Sequence, residues 1–147
     1  MKYTCKININ LPREAVVALF ENYEFREHWQ IGLLKTEIVQ GVPGEVDSKV
    51  DLYCQMGKKE MVITENVLEN HLPDYMSALY TSNGVENIAT ESFIQNEDHS
   101  TTYISEQEFY ATKFIMKLLL LFMPSMFKTE TQKNLESFKS FCEGHEL

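Results

Sequence analysis

Between Tyr3 and Ile9 apolar and polar side chains alternate, with Tyr3, Cys5, Ile7 and Ile9 in one phase and Thr4, Lys6 and Asn8 in the other. That period of two marks a half-buried strand. Asn10-Leu-Pro-Arg-Glu then sets a capping-type residue and a proline ahead of Val16, Val17, Leu19 and Phe20, which predicts a short helix over Pro12 to Asn22. An irregular helical turn is expected at Arg26-Glu-His-Trp29.

From Leu33 the pattern returns to period two and closes on Gly41, and Pro43-Gly44 marks a turn. Val50, Leu52, Cys54 and Met56 alternate with polar neighbours, Gly57-Lys58 interrupts them, and Met61, Ile63, Glu65 and Val67 resume the phase, which predicts a hairpin. The loop Asn70-His-Leu-Pro-Asp74 leads into a strand over Tyr75 to Ser82, and Asn83-Gly84 predicts a type I′ turn into Val85 to Ile94. A polar turn, Asn96 to Ser100, precedes a last strand rich in β-branched and aromatic residues, Thr101 to Tyr110. Seven strands with short turns between them fit an antiparallel sheet.

The final segment has two characters. Phe114-Ile-Met-Lys-Leu-Leu-Leu-Leu-Phe-Met is apolar nearly all round, whereas Thr129 to Glu143 is amphipathic, with Thr131, Leu135, Phe138 and Cys142 on one face. Pro124 lies at the junction, where it either kinks one long helix or separates two. The apolar start is expected either to be buried against the sheet or to form a partly exposed gate or partner surface. From Phe114 to Met126 it would rise only about 20 Å against a hydrocarbon core of roughly 30 Å, and it carries Lys117, so no membrane span is expected. The order of one strand, small helices, a long meander and a closing helix predicts an α+β fold in which a curved sheet grips the C-terminal helix over a cavity.

Composition narrows the classes. The 147 residues, with no linker or repeat, are expected to form a single domain over 1–147. Cys5, Cys54 and Cys142, without paired spacing, are expected as reduced buried thiols, and the N-terminal alternation does not resemble a secretory signal, so a cytoplasmic protein is expected. A net charge of −9 with scattered Lys and Arg disfavours nucleic acid and simple electrostatic docking on anionic membranes, while leaving room for a local apolar contact with lipid. No metal-ligand spacing and no Gly-rich phosphate loop is present, so no metal and no nucleotide cofactor is expected.

Candidate chemistry lies in the strands. Glu65 shares its phase with Met61, Ile63 and Val67, Glu91 with Ala89 and Phe93, and Glu106 with Ile104, so each is a candidate inward carboxylate able to act as acid or base or to anchor a polar ligand end. A sheet twist, a bulge or a bracketed Tyr or Lys would give the same residues a structural role. Among the histidines, His28 is the one expected near a cavity mouth, with His71 and His99 in loops and His145 at a frayed end. Large apolar positions expected to line a pocket are Met56, Met61, Ile63, Met76, Tyr80, Phe93, Tyr103 and Phe109 on strands, with Met116, Leu120, Met123, Phe127 and Phe138 from the closing segment. The same residues, five of the chain's seven methionines among them, suit an ordinary filled core equally well.

The run Ile9-Asn-Leu-Pro-Arg-Glu-Ala-Val-Val-Ala-Leu-Phe20, the following Trp29, the Gly41-Val-Pro-Gly44 turn, the Asn70-His-Leu-Pro-Asp74 connection and the long closing helix resemble the SRPBCC superfamily of START-related, polyketide cyclase-like helix-grip proteins. The resemblance implies a bent seven-stranded antiparallel sheet, two small helices at one end and a C-terminal helix across the concave face. It transfers no catalytic residue. With the apolar Phe114–Met126 segment as a candidate lid, it leads to an expectation of binding a small apolar molecule, such as a lipid, isoprenoid, polyketide or aromatic. A cyclase or dehydratase using Glu65 or Glu91, with Tyr80 or Tyr103 donating to an oxyanion, is the alternative. A third is an interaction module that contacts a partner or itself as a homodimer.

Overall fold

The computed structural model describes residues 1–145. In chain order the elements are β1 (Lys2–Ile9), α1 (Arg13–Glu21), a 3-10 turn (Tyr23–Phe25), α2 (Arg26–Trp29), β2 (Leu33–Gln40), β3 (Lys49–Met56), β4 (Lys59–His71), β5 (Tyr75–Ser82), β6 (Val85–Gln95), β7 (Thr101–Ala111), α3 (Phe114–Phe122) and α4 (Pro124–Gly144). The seven strands form one antiparallel sheet in the order β1-β7-β6-β5-β4-β3-β2. Strands β2 to β7 are a meander, and β1 closes against β7 with Lys2 opposite Glu108 and Ile9 opposite Thr101.

Two local features depart from the sequence expectations. Strand β4 runs on through Asn70 and His71, because a register shift between Val67 and Glu69 lets it keep pairing with β5 as the sheet twists. The turn at Asn83-Gly84 is not type I′: Gly84 has φ +84°, while the non-glycine residues at positive φ are Asp47 and His99. Type I′ requires both central residues there. Lys113 braces this turn through Asn83 Oδ1, and its side chain would stand 2.9 Å from a Cβ at position 84.

The inward phase of β1 packs with α1, α2 and the second half of α4 into an aromatic core. Phe138, fully buried, meets Trp29, Tyr103 and Phe20 edge-on at ring separations of 4.8, 5.6 and 5.9 Å, the geometry that aromatic quadrupoles favour. Polar ties fix α4 along β1 and α2: the Tyr3 hydroxyl is 2.7 Å from Thr131 Oγ1 and Lys139 Nζ donates to Asn8 O at 2.6 Å on β1, while Ser137 Oγ donates to Trp29 O at 2.6 Å on α2. A second apolar cluster, Leu33, Val50, Leu52 and Cys54, lies towards the other edge of the sheet.

Pro124 separates two helices. It is the first residue of α4, where its missing N–H leaves no bond unmade, and Met123 before it leaves helical geometry. The apolar α3 is not buried: none of its residues is, and its main contacts are with β7 and α4. The residues of α4 from Leu135 onward hold the place over the core that an apolar closing helix was expected to take. His145 is not frayed either, since its ring lies 5.1 Å from Phe25 and 5.3 Å from Phe141. No helix among the described residues is long and apolar enough to cross a membrane.

Phe138→Ala is expected to lower the unfolding free energy by about 3–5 kcal/mol, the usual loss for emptying a packed aromatic site, as read from guanidinium unfolding midpoints.

Candidate functional site

Between the two apolar clusters the concave face turns polar. Strands β4, β5 and β6 bring Glu65 opposite Tyr80, Val67 opposite Ala78, Met76 opposite Glu91 and Ala78 opposite Ala89, all in the inward phase. The 3-10 turn and α2 hang Tyr23 and Arg26 over them. A cavity of about 300 Å³ opens here. Its polar wall is Tyr23, Arg26, Tyr80 and Glu91, its apolar wall Phe20, Leu72, Met76, Ala78 and Ala89, and its rim the turn Val42–Glu45. The rim is pinned where Asn70 Nδ2 donates to Gly44 O at 2.8 Å, and Gly44, at φ +90°, makes the bend that a side chain would strain.

Neither α3 nor α4 contributes to this wall, so the cavity is not the one expected beneath the C-terminal helix, and Phe114–Met126 is not its lid. The small helices after β1 roof it instead, because α4 is committed to β1 and the aromatic core.

Glu65 is 1% exposed and fully engaged. Arg26 Nη2 donates to its Oε2 at 2.6 Å, Tyr80 Oη donates to the same oxygen at 2.6 Å, and Tyr23 Oη donates to Oε1. Burial by itself would raise this carboxyl's pKa, but the Arg26 charge and the three donors outweigh it and hold Glu65 below the ordinary carboxylate value. The same carboxylate, overriding the effect of burial, lifts Arg26 well above its usual value. The guanidinium also lies 4.9 Å from the centre of the Tyr23 ring.

Glu91 stands differently. Its Oε1 accepts from Ser105 Oγ at 3.1 Å and from Gln107 Nε2 at 3.4 Å, while its buried Oε2 has no partner. Burial pushes this carboxyl up to about 7, against the pull of the neighbouring Tyr103, of Ser105, of the Arg26 charge and of Gln107. At neutral pH it is divided between acid and base forms, which is the condition for proton transfer in either direction. Unlike Glu65, it is on the cavity wall.

Of the residues expected to line a pocket, Met76 and Tyr80 do so. Phe93 and Tyr103 are locked in the aromatic core with Phe138. Met61 and Ile63 pack on the second cluster. Phe109 is held between Tyr3 at 5.9 Å and Phe127 at 5.2 Å. Met116 and Leu120 are half-buried on α3, Met56 is exposed at a hairpin tip, and exposed Met123 borders an open surface depression with Phe122 and Met126. Glu106 points outward, because Tyr103, Ser105 and Gln107 hold the inward phase of β7. His28 is stacked on Phe141 at 6.1 Å, away from the cavity. Sequence patterning missed Arg26, Tyr23, Ala78 and Ala89. Arg26 gave no signal apart from its partner, and two alanines on adjacent strands leave space only when they face each other.

The two carboxylates are expected to answer pH in opposite directions. Glu65, with a lowered pKa, contributes stability above about pH 4.5 that is lost as pH falls through its folded value. Glu91, with a raised pKa, contributes stability fully present below about pH 4.5 and lost as pH rises through about 7. Glu91→Gln should therefore flatten the fall in stability between those values, worth roughly 3 kcal/mol. Glu65→Gln should cost about 3–5 kcal/mol near neutrality by stranding Arg26. Denaturant midpoints across pH check both.

No family model matches the chain, and no curated protein matches it in sequence. Solved structures do match in shape. The Zhui aromatase/cyclase of a Streptomyces species superposes with a TM-score of 0.81 at 10% identity, covering 97% of this chain and 93% of that one. A conserved protein from Geobacillus kaustophilus gives 0.81 at 10% identity, covering 97% and 95%. The major latex-like protein 151 of Panax ginseng gives 0.71 at 11% identity, covering 95% of each. Over nearly its whole length, then, this chain shares the helix-grip fold of these structures.

Proposed function

We propose that the protein binds a small, largely apolar molecule with one polar end in the cavity under α1 and the 3-10 turn. The observation that carries this reading is Glu91, which lines the cavity beside apolar side chains and the Tyr23, Arg26 and Tyr80 group and whose buried Oε2 has no partner. A buried oxygen without a partner is costly, and a ligand hydroxyl or carbonyl would relieve it. The neutral acid donates and the carboxylate accepts, so Glu91 suits either end group. At about 300 Å³ the space is at the lower end of the ~300–1,000 Å³ typical of ligand sites, which fits a one- or two-ring aromatic, a short isoprenoid or a short acyl chain better than a sterol. Apolar burial would supply about 25 cal/mol per Å² and the polar wall the orientation.

A second reading, acid–base catalysis on such a molecule, is favoured by one observation, the Glu91 carboxyl poised near pH 7 at the wall. Glu65 does not share that role, since both its oxygens are occupied and its pKa is low.

A thermal-shift screen of short-chain acids, isoprenols and small phenols, with native mass spectrometry, is expected to find a ligand that stabilises the wild type. Ala78→Phe, which fills the cavity at a folding cost of about 1–3 kcal/mol, should abolish that shift; absence of any ligand, or binding unchanged in Ala78→Phe, overturns the reading. For any substrate so identified, the catalytic reading expects Glu91→Gln to reduce kcat by roughly 10²–10⁴-fold without loss of binding, and unchanged turnover ends it.

A further inference from the structure

Helix α3 carries more apolar surface than the fold covers. On an ordinary surface helix the apolar stripe faces the core, yet here Phe114 is 75% exposed, Leu121 70% and Phe122 73%, with Ile115 at 64%. Phe114, the half-buried Leu118 and Phe122 follow one another at i, i+4 and i+8 and so form the middle of one face. Ile115 and Leu121 flank it, and exposed Met123 and Met126 extend it into α4. The helix shares no residue with the cavity wall, so its exposure is not that of a lid left ajar over the site.

Charge is unevenly distributed around this face. The chain as a whole is strongly acidic, with 22 Asp and Glu against 13 Lys and Arg. Between Glu108 and Glu130, however, no acidic residue occurs, while Lys113, Lys117 and Lys128 do. All three are exposed, and none forms an ion pair among the described residues. An apolar face fringed by ammonium groups that pair with no carboxylate among the described residues is complementary to an anionic, apolar-backed surface. A second copy of the chain brings the opposite match, since two such faces meeting would set lysine fringe against lysine fringe inside an apolar contact.

We propose that α3 is an interfacial anchor that lays its Phe114–Leu118–Phe122 face into the acyl boundary of an anionic bilayer while Lys117 and Lys128, with Lys113, engage the headgroup phosphates. At about 1.5 Å per residue the nine-residue helix is far too short to span, but it suits an orientation in the interface plane, where apolar faces enter roughly 5–10 Å. The acidic remainder of the molecule is repelled by the same surface, which selects one docking orientation and keeps attachment reversible. This inference is independent of the cavity reading.

The test is co-sedimentation of the full chain with vesicles of phosphatidylcholine alone and of phosphatidylcholine with an equal part of phosphatidylglycerol. Wild type should bind the mixed vesicles about ten-fold or more tightly than the neutral ones, with binding that falls as salt rises. Phe114→Ser with Phe122→Ser, and separately Lys117→Glu with Lys128→Glu, should each weaken binding by about ten-fold or more, with thermal midpoints close to wild type. A Phe122→Trp variant gives a readout that needs no loss of binding: its emission should shift to the blue on adding mixed vesicles, while buried Trp29 stays unchanged. No pelleting with either vesicle, equal binding to both, no emission shift, or a concentration-dependent dimer that the Phe variants dissolve while vesicle binding is absent each overturns the proposal.

Discussion

The ion pair between Arg26 and Glu65 is the constraint around which the interior is arranged. It joins the short helical segment after α1 to the middle of the sheet, and both partners are almost wholly withdrawn from water. Taking two charges out of water is expensive, and their attraction repays this only when geometry and further hydrogen bonds are right. Tyr23 and Tyr80 complete that geometry. The outcome is specificity of placement: α2 can meet β4 and β5 in one arrangement that leaves no charge stranded. Apolar side chains pack into a core on one side of this group and a smaller cluster on the other, and neither can close over it. The cavity is the space that remains.

Two glutamates with the same orientation relative to the sheet thereby acquire opposite characters. Glu65 and Glu91 both lie in the inward phase, on β4 and β6 with β5 between them. Arg26 is bonded to the first and acts on the second only through its field. One stays ionised and structural, while the other is lifted towards neutrality with an oxygen unpaired. Such separation of two acids by environment is the means by which proteins obtain an acid and a base from identical side chains.

The division of the closing segment follows from similar economy. Phe138, Leu135 and Cys142 place the latter part of α4 against β1 and the aromatic core, and one helix fills that space. Pro124 then ends the requirement that the preceding turns follow the same axis. Helix α3 is left at the margin of β7 with its apolar side chains facing water, a surplus that burial within the chain does not account for.

The elements were legible in the sequence because they rest on local rules. The period-two runs of β1, β3 and β7, the Pro12 and Phe20 framing of α1, and the Gly57 and Gly84 turns pointed to seven antiparallel strands, since side-chain alternation and backbone punctuation act over a few residues, whereas the pairing of β1 with β7 came from the structure. The inward phase of Glu65 and Glu91 was legible for the same reason, and the punctuation as a set pointed to the fold. What the sequence left open was every property that depends on a partner far along the chain. Whether Phe93 and Tyr103 fill a core or line a void, whether Glu106 faces in or out, and whether the apolar α3 is covered were decided by which neighbour reached each site first. Arg26 is the clearest case: in sequence it is one charged residue in a polar helical turn, and only 39 residues later does the chain provide the carboxylate that draws it inside. Short-range periodicity determined the parts of this protein; competition among distant side chains for the same dry space decided the site.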